Sequence, residues 1–80
     1  MSSKVVNKLG ILIALKELKE GHRIPYSEIM YKVREQSGIK IAASTLSKWH
    51  NHKITRYDSA TLVALCNYFE CEINSLLEVQ

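Results

Sequence analysis

The chain has 80 residues, 46% apolar and 24% charged, the balance of one small globular domain and not of a disordered tail. Its longest apolar run, Ile11–Leu15, is far short of the roughly 18 residues that a membrane-spanning helix needs. The net charge of +3 is too small, taken by itself, to demand or exclude a polyanionic partner.

Strand signals are weak, and the apolar spacing predicts five helices. The first runs from Lys4 to Glu20, with Gly21 as its stop. At 100° per residue, Val5, Val6, Leu9, Leu12 and Ile13 share one side, while Ile11, Ala14, Leu15 and Leu18 lie nearly opposite. One stripe suffices for a surface helix. The second requires a neighbouring helix or another subunit, unless Gly10 breaks the helix and turns its halves apart. The second helix begins after Ile24-Pro25, since proline is tolerated where an N–H has no helical acceptor. It buries Ile29, Met30 and Val33 and ends at Gly38. The third spans Ala43 to Asn51. Ser44, Thr45 and Ser47 are mediocre helix formers, so this segment depends on packing through Leu46 and Trp49. The fourth starts at Asp58, a good N-cap, and carries Leu62, Leu65, Cys66 and Phe69 at helical spacing. The fifth is short, about Asn74 to Val79, anchored by Ile73, Leu76 and Leu77.

The third helix stands out chemically. Leu46 and Trp49 fall on one face and Ala43, Ser44, Ser47 and Lys48 on the other. No acidic residue occurs from Gln36 to Tyr57, whereas residues 58–80 hold four acids and no Lys or Arg. A small, polar, cationic face held to a domain by two large apolar groups suits the major groove of DNA. The bland alternative is a solvated helix face, although such a face would ordinarily mix charge signs.

The residues also carry a likeness. Ser44-Thr45-Leu46-Ser47-Lys48-Trp49, then Asn51-His52-Lys53, the capped helix from Asp58 to Phe69, and Leu76-Leu77-Glu78 resemble the phage-repressor/Cro (Xre-like) helix-turn-helix family. The resemblance covers nearly the whole chain. It implies an all-α, five-helix, lambda-repressor-like domain over residues 1–80, with a recognition helix at about 43–51. The sequence departs from the family in two ways. Several extra residues fall near Tyr31–Lys40, which would lengthen the second helix or loosen the turn. Pro25 and Ala42 stand where polar caps are usual, and each lost cap costs about 1 kcal/mol.

By resemblance, Ala43, Ser44, Thr45, Ser47 and Lys48 face the bases. Lysine can donate to guanine O6 and N7, serine can bond either base edge, and an alanine methyl can touch thymine. Tyr26 and Ser27 open the second helix, where the family holds a phosphate at free N–H groups and a positive dipole end. Tyr26 packed against the third helix is the alternative. Asn51, Lys53, Thr55 and Arg56 follow the recognition helix and would clamp backbone phosphates, contacts that position without specifying. His50 and His52 would sit near phosphate and tighten binding as pH falls. Trp49 reads as core, not as a stacking platform.

Other chemistries fare poorly. His50-x-His52 and Cys66…Cys71 lack the second paired set of a zinc site. Ser47, His50 and Asp58 suggest no pocket or ordered nucleophile, so no enzyme and no cofactor are expected. The opening MSSKVVNKLG lacks a secretion signal, and two cysteines fit a reducing compartment. The expectation is a cytoplasmic, nucleoid-associated, repressor-like regulator that binds double-stranded DNA as a homodimer on a palindrome. The dimer contact would come from Ile11, Leu15 and Leu18 or from the C-terminal end, Leu77 and Val79. The alternative is a protein-interaction module of the antitoxin or antirepressor type, binding its partner through the same apolar faces.

Overall fold

The computed structural model describes residues 5–54 and 56–79. Its elements in chain order are β1 (Val5–Asn7), α1 (Leu9–Glu20), α2 (Tyr26–Ser37), α3 (Ala43–His50), α4 (Ser59–Phe69), α5 (Ile73–Leu76) and β2 (Leu77–Val79). The domain is all-α, with five helices among the described residues and one short antiparallel strand pair.

Both chain ends differ from the expectation. The first helix begins at Leu9 and Val5–Asn7 is extended; the expected start at Lys4 lies outside the described residues. The fifth helix stops at Leu76. The two end segments pair antiparallel, Val5 opposite Val79, Val6 opposite Glu78 and Asn7 opposite Leu77. Pairing joins β-branched valines, which favour extended backbone, across the two ends of the chain. The Lys8 N–H donates to the Leu76 carbonyl at 2.7 Å, so the sheet runs directly into the start of α1.

Gly10 does not break α1, which continues unbroken to Glu20. Gly21 ends it at φ 77°, and Gly38 ends α2 at φ 70°; both positions are left-handed, where a Cβ is penalised. The extra residues near Tyr31–Lys40 lengthen α2 to 12 residues. Residues 38–42 then cross to α3, and Ile41 is buried there with Ile39 packed beside it. The turn is therefore anchored, not loose.

The core gathers Leu9 and Ile13 of α1, Ile29 and Val33 of α2, Leu46 and Trp49 of α3, Ala64, Leu65 and Tyr68 of α4, and Leu76 of α5. On α4 the wholly buried side is thus Ala64, Leu65 and Tyr68, with Leu62, Cys66 and Phe69 at its margin. Asp58 caps α4 as its type predicts: its Oδ2 accepts from the Thr61 N–H at 3.2 Å and from the Thr61 hydroxyl at 3.1 Å. Pro25 and Ala42 precede α2 and α3 with no side-chain cap.

Candidate nucleic-acid interface

The third helix is short and begins without a cap, so its stability comes from elsewhere. Leu46 and Trp49 are fully buried, and burial of such side chains contributes about 2–3 kcal/mol each. The Trp49 indole meets the Tyr57 ring edge-on, with centroids 4.9 Å apart, which confirms it as a core residue. The helix ends at His50, one residue earlier than expected. His52 follows at φ 58°. Its N–H donates to the Trp49 carbonyl at 3.2 Å, and the Lys53 N–H donates to the Lys48 carbonyl at 2.8 Å. These two bonds make a Schellman closure, with a histidine where glycine is usual.

A second anchor was missed by sequence reasoning. Asn7 is buried. Its Nδ2 donates to the Trp49 carbonyl at 2.9 Å and to the Tyr57 hydroxyl at 3.4 Å, while its Oδ1 accepts from the Leu9 N–H at 3.2 Å. One amide thus ties the end of α3 to the start of α1. An asparagine just ahead of a helix signals a local turn, but nothing in the sequence points to a carbonyl so distant along the chain.

With Leu46 and Trp49 turned inward, Ala43, Ser44 and Lys48 are exposed, and Thr45 and Ser47 are half-buried on the flanks. The five residues expected to face bases therefore lie on the open side and margins of one helix. Tyr26 and Ser27 form the first turn of α2, whose leading N–H groups have no acceptor within the helix. Ser27 is exposed. The Tyr26 hydroxyl lies 2.7 Å from His50 Nδ1, and its ring packs edge-on to that imidazole. Tyr26 thus contacts the third helix, the alternative raised for it above.

Beyond α3, Asn51 turns its Nδ2 back on the Ser47 carbonyl at 2.9 Å and on the Ser47 hydroxyl at 3.3 Å. This closes the helix end and leaves the amide oxygen for other partners. Lys53 and Arg56 are exposed; Thr55 lies outside the described residues. Among the described residues, the ion pairs are Lys8–Glu78, Lys16–Glu20 and His22–Glu20. The cations around α3, Lys40, Lys48, Lys53 and Arg56, take no part in them. They stand before, within and after α3 in the sequence.

Among the described residues, no three His, Cys, Asp or Glu side chains come together as a metal site. No helix is long and apolar enough to cross a membrane.

A polar helix clamped to a helical core by its apolar side is the arrangement of a helix-turn-helix protein. Residues 14–80 match the family model of the Cro/C1-type HTH DNA-binding domain, and the chain belongs to that family. No curated protein matches the sequence, and no solved structure matches the fold.

Proposed function

We propose that residues 1–80 act as a single module that reads a short duplex sequence through α3 and represses transcription as a homodimer on a palindromic operator. The observation that carries this reading is the division of α3. Leu46 and Trp49 are wholly buried while Ala43, Ser44 and Lys48 stand free, in a stretch that has no carboxylate from Gln36 to Tyr57. Lys48 and Ser44, one turn apart, address base edges, with Ala43, Thr45 and Ser47 beside them. Ser27, Asn51, Lys53, Thr55 and Arg56 hold backbone phosphates on either side, while Tyr26, its hydroxyl 2.7 Å from His50 Nδ1, packs against α3.

One such helix reads only a few base pairs, and a second copy doubles the site. Two copies of a helix-turn-helix domain place their half-sites about 34 Å apart. The contact surface is the outer stripe of α1, where Ile11, Leu15 and Leu18 are 59%, 57% and 81% exposed. Leu77, the other candidate, is half-buried against the core in β2, while Val79 beside it is exposed. Selection from a randomised duplex library with the purified protein tests the reading. Enrichment of a short palindrome supports it, and unenriched sequences with an intact helical fold refute it.

The same exposed stripe favours a second reading, an antitoxin-like or antirepressor-like module that binds another protein through α1. Salt separates the two. DNA binding weakens with a log–log slope of roughly −0.9 per phosphate neutralised, while an apolar protein contact changes little.

A further inference from the structure

We propose that His50 is a positioning residue: bonded to Tyr26 and seated against Gly10, it fixes the roll of the recognition helix relative to the phosphate-facing end of α2. The inference rests on the reading that α3 enters the groove, and it concerns side chains to which neither the family match nor the proposed contacts assign this role.

Two observations meet at this imidazole. Its Nδ1 lies 2.7 Å from the Tyr26 hydroxyl, joining the last residue of α3 to the first residue of α2. With the ring proton on Nε2 the phenol donates to Nδ1; with it on Nδ1 the ring donates to the phenol oxygen. The tie holds in either tautomer. On its other side the ring lies against α1. A Cβ placed on Gly10 would come within 3.0 Å of both Cδ2 and Nε2 of His50. Glycine in a helix is unfavourable, and this close approach gives Gly10 a physical reason. His50 is thereby held by α1 and α2 at once, although its own surface is exposed.

The position on α3 gives the contact its leverage. Leu46 and Trp49 form a single buried line with Asn7 bonded to the backbone at its end, and a helix held along one line can still roll about it. His50 lies on one flank of that line, three residues after Ser47 and seven after Ala43, so the three share a side. Any roll that moves His50 moves the base-facing flank with it. A solvent-exposed hydrogen bond adds little to folding stability, so its consequence falls on the pose of the helix. In recognition, displacements near an ångström decide whether a side chain reaches a base edge.

The test uses Tyr26→Phe, His50→Leu, the double variant and His50→Asn, whose amide keeps a hydrogen-bonding atom near the place of Nδ1. Each is titrated against the selected operator and a scrambled duplex of equal length, with thermal unfolding in parallel. Tyr26→Phe and His50→Leu each weaken operator binding about five- to tenfold, and the double variant is no worse than the weaker single. His50→Asn stays near the parent, and scrambled-duplex binding changes less than about twofold. Multiplicative losses in the double variant, or equal losses on both duplexes, overturn the proposal; the latter makes Tyr26 a plain phosphate contact. The free protein supplies an arm that does not depend on DNA. On Tyr26→Phe, the backbone amide resonances of Ala43 and Ser47 shift along with that of His50. If the parent chain fails to prefer the operator, the groove reading falls while these shifts still report the tie. Shifts confined to residues 26 and 50 overturn it.

Discussion

Single residues at helix ends set the geometry of this domain more than its composition does. His52 closes α3 at φ 58°, a conformation that costs a side-chain-bearing residue about 1 kcal/mol and glycine almost nothing. Accordingly, His52→Gly should raise the unfolding free energy by about 1 kcal/mol in a urea titration. Asn7 works in the opposite sense. Asn7→Ala strips a buried partner from the Trp49 carbonyl and from the start of α1, so the same titration should show a loss of about 2–3 kcal/mol. At the α1–α2 corner, the His22 imidazole is held above its ordinary pKa, first by donating to the Arg23 carbonyl and also by Glu28 and Glu20. Glu20 is held below its ordinary value, first by its bond to Lys16. The raised histidine supports the fold fully below its unfolded pKa, and that support is lost as pH rises through the folded value. The lowered carboxylate does so above its unfolded pKa, and loses it as pH falls through the folded value. Imidazole proton resonances followed against pH should show His22 titrating above the free histidine range, and a midpoint at or below that range would count against the Arg23 contact.

Helices whose signals are local were legible in the sequence. Asp58 at the start of α4, Gly21 and Gly38 at helix ends, and the Leu46–Trp49 stripe each depend on neighbours within a turn or two, and each appears where its residue type predicts. The elements that escaped depend on distant partners. Val5 and Val6 match a helical stripe as well as a strand, and only the pairing with Glu78 and Val79 decides between them. The exposed residues of α3 were legible as a set because one apolar pair fixes the whole helix face. The Tyr26–His50 tie could not be read as a bond, because no periodicity relates two residues on crossing helices. The outer stripe of α1 was read correctly as a second apolar face, and no other element of the described chain covers it. Leu18→Glu places a charge at the most exposed point of that stripe. If the proposed dimer forms through this stripe, sedimentation should show the variant shifted from dimer to monomer, with unfolding free energy changed by no more than about 0.5 kcal/mol. A dimer that survives this change would move the contact elsewhere.

At the scale of the molecule, charge and packing divide the labour. Cations flank α3 in the sequence while acids fill its last third, a division that on the proposed reading draws a duplex toward α3 and away from regions rich in carboxylate. The core that seats Leu46 and Trp49 draws on all five helices, which fixes where α3 lies and leaves its roll to the contacts on its flank. On the proposed reading Arg56 and Lys48 serve different ends. Arg56→Ala should weaken every duplex alike and lower the salt slope by about one, whereas Lys48→Ala should blunt the preference among sequences. The central claim is that α3 reads bases, and the most direct test is site selection from one randomised duplex library by the parent chain and by Lys48→Ala side by side. The account predicts that the parent enriches a palindrome and that the variant loses preference at one symmetric position in each half-site while keeping the rest. Enrichment of the same site with the same preferences by both proteins would contradict it.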